Sequence, residues 1–256
     1  MLALPGVAES AERARAAVDA LLWDRAVGRA QAEVAAESAL RGAWANAWFE
    51  GAESGLPELR SGAALDGSPV GRVLANAVAL QSALPELVPV IGSAPAQALA
   101  RMHALAAHGF MADAELGRPR AAVVADDPLR LGRLPATQEV AERLAGAGQL
   151  LVSSTAPGVL VAAIVHAEVA ALRPFPWGSG LVARVLLRLV LAQRGVDPGM
   201  LGCPELGLRM VGRPAYVRAL RGYMDGTPEG VAGFVALMCR AVAVGAGEPA
   251  GWVPAA

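Results

Sequence analysis

Two apolar runs joined by a short Pro- and Gly-rich loop constrain this chain more than any other feature. They are GVLVAAIVHAEVAAL (158–172) and LVARVLLRLVLAQ (181–193), with RPFPWGSG between them. The first carries His166 and Glu168, the second Arg184 and Arg188. Each is too short or too charged to cross a bilayer, so both read as buried core helices. Pro174 disfavours helical geometry in the residue before it, which ends the first helix at Leu172 or Arg173. Gly178 and Gly180 flank Ser179 where the second helix begins. Small residues there let backbone N–H groups converge at the positive end of the helix dipole, the shape of an anion or phosphate cradle. The same spacing also suits a plain turn between helices.

The rest of the chain carries helix signals too. Hydrophobic residues make up 55% of the 256 and aromatics only 4%, which favours packed helices over a β-sandwich. Apolar positions at Ala14, Ala17, Val18, Leu21, Leu22 and Ala26 form a stripe of helical period over 8–31. Further helices are expected over about 33–48, 70–83, 95–112, 136–147, 157–172, 180–194, 213–224 and 228–245. Thr227 is placed to cap the last, with Pro228 in its first turn. Residues 51–69 read as a loop, and 113–135, around the β-prone piece AAVVA, as a loop or weak hairpin.

Charge and residue usage narrow the chemistry. The net charge of −1 gives no overall field toward nucleic acid or an anionic membrane. All 22 basic residues are arginine, a usage that fits a GC-rich bacterial genome. With no lysine there is no Schiff base and no amine nucleophile. Cys203 and Cys239 lack CxxC spacing, so neither a zinc site nor a disulfide framework is expected. The N-terminal stretch meets Pro5 and Glu9 too early for a signal peptide, and a cytoplasmic protein is expected. His103 and His108 have no acidic partner at helical spacing.

The loop and its flanks resemble the Fic (Fido) family, whose motif reads HPFx(D/E)GNGRxxR. This chain has RPFPWGSGLVAR in the same frame: Pro174, Phe175, Gly178, Gly180 and Arg184 match, while Arg173, Trp177, Ser179 and Leu181 do not. His166 lies seven residues before the motif start, as in the family's preceding helix. RPAYVRALRGYMDGTPEGVAGFVALMCRAV resembles the family's last two helices, so the likeness covers roughly 95–246. It implies an all-α, Fic-like helical bundle with a short β-hairpin flap in 113–135. The expected organisation is N-terminal helices over 1–70, a Fic-like core over 71–246 and a mobile tail over 247–256.

In active relatives the motif histidine is the general base, the acidic residue holds Mg²⁺, the Gly-Asn-Gly turn binds ATP phosphates and two arginines hold the rest; the usual product is a protein carrying AMP. Few of these roles transfer. A guanidinium at Arg173 stays protonated and cannot accept a proton. Trp177 cannot ligate a hard cation, and Leu181 replaces the first phosphate arginine. Catalytic residues and a metal site are therefore not expected. An anion or nucleotide site remains at Gly178, Ser179, Gly180, Arg173 and Arg184, with ATP or another nucleotide as the implied ligand. Arg173 reads equally as a cation at a helix C-terminus. Trp177 reads as a lid over an emptied pocket or as an anchor for a partner, and His166 as a packing residue.

Many Fic proteins also carry an inhibitory helix, (S/T)xxxE(G/N), whose Glu pairs with the second motif arginine. NAWFEG, Asn46 to Gly51, resembles it, with Asn46 for Ser/Thr. Glu50 is thus a regulatory candidate expected to pair with Arg184, although a helix end capped by Gly51 explains the same residues. The resulting expectation is a degenerate Fic-like protein that binds an anionic ligand or a protein partner. Its alternative is a transferase of a phosphate-containing group working without the histidine.

Overall fold

The computed structural model describes residues 3–253. Thirteen α-helices build it: α1 Val7–Leu22, α2 Arg25–Arg29, α3 Gln31–Phe49, α4 Leu56–Ser61, α5 Pro69–Ser82, α6 Leu84–Ile91, α7 Pro95–Ala106, α8 Thr137–Ser153, α9 Gly158–Leu172, α10 Ser179–Gln193, α11 Pro204–Val211, α12 Arg213–Met224 and α13 Pro228–Gly247. No strand forms among the described residues. The all-α expectation is therefore met. The hairpin is not: 113–135 holds one 3-10 turn, Asp113–Glu115, and is otherwise irregular.

The two apolar runs become α9 and α10, a packed helical hairpin with the Pro/Gly loop at its tip. Nearly every side chain in both is buried, as the lack of a polar face in the sequence requires. The other helices wrap this pair. α8 and α13 cover α9, α6 and α3 cover α10, and α1 and α11 lean on α13. Gly207 lets α11 approach α13, since a methyl group there would run into the Ala241 carbonyl. One hydrophobic core includes Val7 and Val34 from the N-terminal helices as well as Leu160, Leu187 and Phe234.

Local chemistry sets most helix ends. The Thr227 side chain accepts the Gly230 N–H at 3.1 Å, capping α13 with Pro228 in its first turn. The stretch expected as one helix over 8–31 breaks instead at Trp23. Asp24 then accepts the N–H groups of Ala26 and Val27 and starts α2. Within the expected loop 51–69, α4 forms with a proline in its first turn. In the described part of the expected tail, Pro249–Trp252 forms a 3-10 turn and Arg41 lies over the Trp252 ring at 4.9 Å, while 254–256 lie outside the described residues.

Candidate functional site

The site forms where α10 begins. Arg173 closes α9 in the left-handed region at φ 44°, an unfavourable conformation for a side chain of its size, and the chain reverses through PFPWGSG. Gly178 is also left-handed, φ 76°. The Ser179 hydroxyl accepts the Phe175 N–H at 3.0 Å and lies 3.2 Å from the Phe175 carbonyl, so it ties the turn together. Phe175 is buried and stacks on His103 with ring centroids 3.9 Å apart. The loop is thus held by small residues and by the Ser179 hydroxyl.

Two acidic side chains of the chain itself lie against the start of α10. Glu50 forms an ion pair with Arg184, and both side chains are almost fully buried. Arg184 also donates from Nε to Asn46 Oδ1 at 2.5 Å and lies over the Phe49 ring at 4.9 Å. Asn46 in turn donates to the Leu181 carbonyl at 3.1 Å. A methyl group on Gly180 would lie 2.5 Å from the Glu50 carboxylate and 3.0 Å from Arg184, so only glycine leaves room for this pair. Gly51 follows Glu50 with φ 83°, which ends α3 there. Both readings of NAWFEG, helix end and partner for Arg184, hold together.

The second carboxylate is Asp126, which accepts the Gly178 N–H at 3.2 Å while its own N–H bonds the Pro176 carbonyl at 2.8 Å. Asp127 pairs with Arg173 at 3.0 Å and accepts the N–H groups of Leu131 and Gly132. Arg173 further donates to the carbonyls of Gly132, 3.0 Å, and Arg133, 2.6 Å. Its donors are therefore spent on segment 127–133, and only Nε is buried without a partner. Of the five expected anion-binding residues, the structure brings Gly178, Gly180 and Arg184 around the internal carboxylates. Ser179 secures the turn and Arg173 fastens the flap.

Arg120 completes the seal, and nothing in the sequence singled it out. It is buried, and it donates to the carbonyls of Arg173 at 3.0 Å, Ala122 at 2.9 Å and Pro135 at 2.6 Å. The cation at the C-terminus of α9 is thus Arg120 as well as Arg173. The space left between flap and loop is a cavity of about 20 Å³ lined by Asp126, Asp127, Arg173, Gly180 and Tyr216, among others. That is room for about one water molecule. Trp177 does not fill it; its half-buried ring stacks on Phe110, centroids 4.1 Å apart.

Electrostatics follows burial. His166 is fully enclosed, with Nε2 2.7 Å from the Tyr216 hydroxyl, and burial with the nearby Arg184 charge pushes its pKa down to about 3. It is a neutral packing residue. Burial first, then Glu50, pushes the Asp126 carboxyl up to about 7, against the Gly178 N–H and Arg184, which favour the ionised form. An unfolded aspartate loses its proton near pH 3.9, whereas the folded one keeps it to about 7. The native state therefore binds the extra proton between those limits, and stability falls as pH rises through them. Denaturant titrations over that range should show the fall in the wild type and a flatter profile in Asp126→Asn. Parallel profiles would refute the assignment.

No protein-family model and no curated protein matches the sequence. Solved structures do. A Fic family protein from Desulfovibrio desulfuricans is similar with a TM-score of 0.74 at 20% identity, over 96% of this chain and 74% of that one. Fic-1 from C. elegans gives a TM-score of 0.71 at 18% identity, over 96% and 72%. A variant of that same Fic-1 chain gives 0.65 at 19%, over 92% and 70%. This likeness carries the fold: the chain has the all-α Fic fold, as its motif resemblance implied.

Proposed function

We propose that this Fic-fold chain acts by binding a protein partner and does not transfer AMP. The observation that carries the reading is the state of the cradle. Both arginines near it, Arg184 and Arg173, already hold a carboxylate of the same chain, and about 20 Å³ is left open. An incoming polyphosphate would have to displace Glu50 and Asp126 and would find no uncompensated charge. Guanidinium and indole at the motif's base and metal positions point the same way, since neither can do the work of imidazole or carboxylate there.

Calorimetry with ATP, GTP, AMP and ADP, with and without Mg²⁺, tests this directly. No heat of binding is expected from the wild type. The panel is repeated with Glu50→Gln, which keeps the side-chain volume while removing the charge that opposes a phosphate. Nucleotide binding by the wild type would overturn the reading in favour of the transferase alternative. So would AMP transfer to any protein in a radiolabel assay.

A further inference from the structure

We propose that a cleft over α13, between α1 and the α11–α12 junction, binds a small amphipathic carboxylate, an aliphatic acid whose headgroup meets Arg240. The cleft shares no residue with the cradle and does not depend on the protein-partner reading.

The cleft holds about 470 Å³, within the range of small-molecule pockets. Its floor is one face of α13, where Ala236, Arg240 and Ala243 follow one another at helical spacing. The two alanines stop at a methyl group and leave the space beside the arginine open. On one side α1 supplies Ser10 and Arg13, and on the other Val211 and Ala215 close the wall. Apart from Ser10, the two arginines and the Cys239 thiol, the lining is aliphatic.

Charge selects the headgroup. Arg13 is shared, since it pairs with Glu9 and donates to the Ser10 hydroxyl at 3.2 Å. Arg240 is exposed and makes no ion pair among the described residues. With Glu9 set against the two arginines, one positive charge is left over, which suits a monoanion. A guanidinium offers paired donors to a carboxylate, and its stem lies along apolar surface while the head stays in water. A polyphosphate would bring several negative charges to that single cation and leave the aliphatic walls uncovered. A folded protein buries about 800 Å² per side, far more than this cleft presents. The Cys239 thiol forms part of the wall and does no chemistry. Burial pushes it up to about 11 against the pull of Arg13, so the sulfur stays protonated.

The test uses the whole protein with decanoate below its micelle concentration, read by calorimetry and by melting temperature. Decanol, which lacks the charge, and acetate, which lacks the chain, are the comparison probes. Decanoate should bind with one ligand per chain and raise the melting temperature. Acetate should not bind, and decanol should bind about tenfold more weakly than decanoate. Arg240→Gln changes an exposed side chain; it should weaken decanoate about tenfold and leave decanol unchanged. Ala236→Leu fills the floor of the cleft and should weaken both. Absence of decanoate binding, or binding indifferent to either substitution, would overturn the proposal. So would acetate or decanol binding as tightly as decanoate. Neither substitution touches the cradle, so the nucleotide panel reads the proposed function separately.

Discussion

Glu50→Ala should cost about 3–5 kcal/mol of folding stability, and Arg184→Ala a similar amount, because each leaves the other's charge buried and alone. The pair is almost completely enclosed, and Asn46 alone cannot neutralise Arg184. The double mutant should lose much less than the sum of the two, since it leaves no orphaned charge. Urea denaturation of the three variants gives the coupling directly. Strict additivity would mean that the contact contributes nothing of its own. Glu50→Gln should fall between wild type and Glu50→Ala, keeping a hydrogen bond but not the charge.

An effect of the same size is expected at a second buried pair with no part in the site. Arg188 on α10 and Glu205 on α11 meet at 2.8 Å, with side chains 2% and 0% exposed. Ser38 on α3 accepts from Arg188 at 2.8 Å, and Gln81 on α5 donates to Glu205 at 2.7 Å. Four helices are thereby tied through one ion pair. Glu205→Ala should cost about 3–5 kcal/mol, while Arg188→Met with Glu205→Leu should recover most of it by removing both charges. Melting curves of the single and double variants check this. If the double variant is as unstable as the single, the loss comes from packing and not from charge.

The contrast shows what a sequence can disclose. The α9–loop–α10 hairpin was legible because proline, glycine and uninterrupted apolar runs act over a few residues. Glu50 with Arg184 was legible only through the family pattern, since 134 positions separate them. Arg188 with Glu205 carried no pattern, and only folding brings α3, α5, α10 and α11 to one point. The helices α6 and α11 escaped notice because eight residues show too little of a helical period, and Pro89 interrupts α6. In the flap, Asp126 and Asp127 read as turn residues. Asp127 does open the 127–130 turn, but its carboxylate meets Arg173 at the end of α9 while that of Asp126 meets the start of α10, directions that depend on where α9 ends and not on local spacing. The AAVVA piece has β propensity but no neighbouring strand to pair with, so the tertiary context left it irregular.

The closed cradle also changes what competition means for this protein. Glu50 is a ligand on a tether, carried by the same chain as its receptor. Its effective concentration at Arg184 is therefore fixed by geometry, at about millimolar or above, and does not change when the protein is diluted. A free anion must outcompete it at every protein concentration, so raising expression does nothing to fill the cradle from outside. An event that moves the end of α3, by contrast, lowers that effective concentration at once. Access to the cradle is thus set by the position of a helix end and by the free anion concentration, and not by the amount of protein.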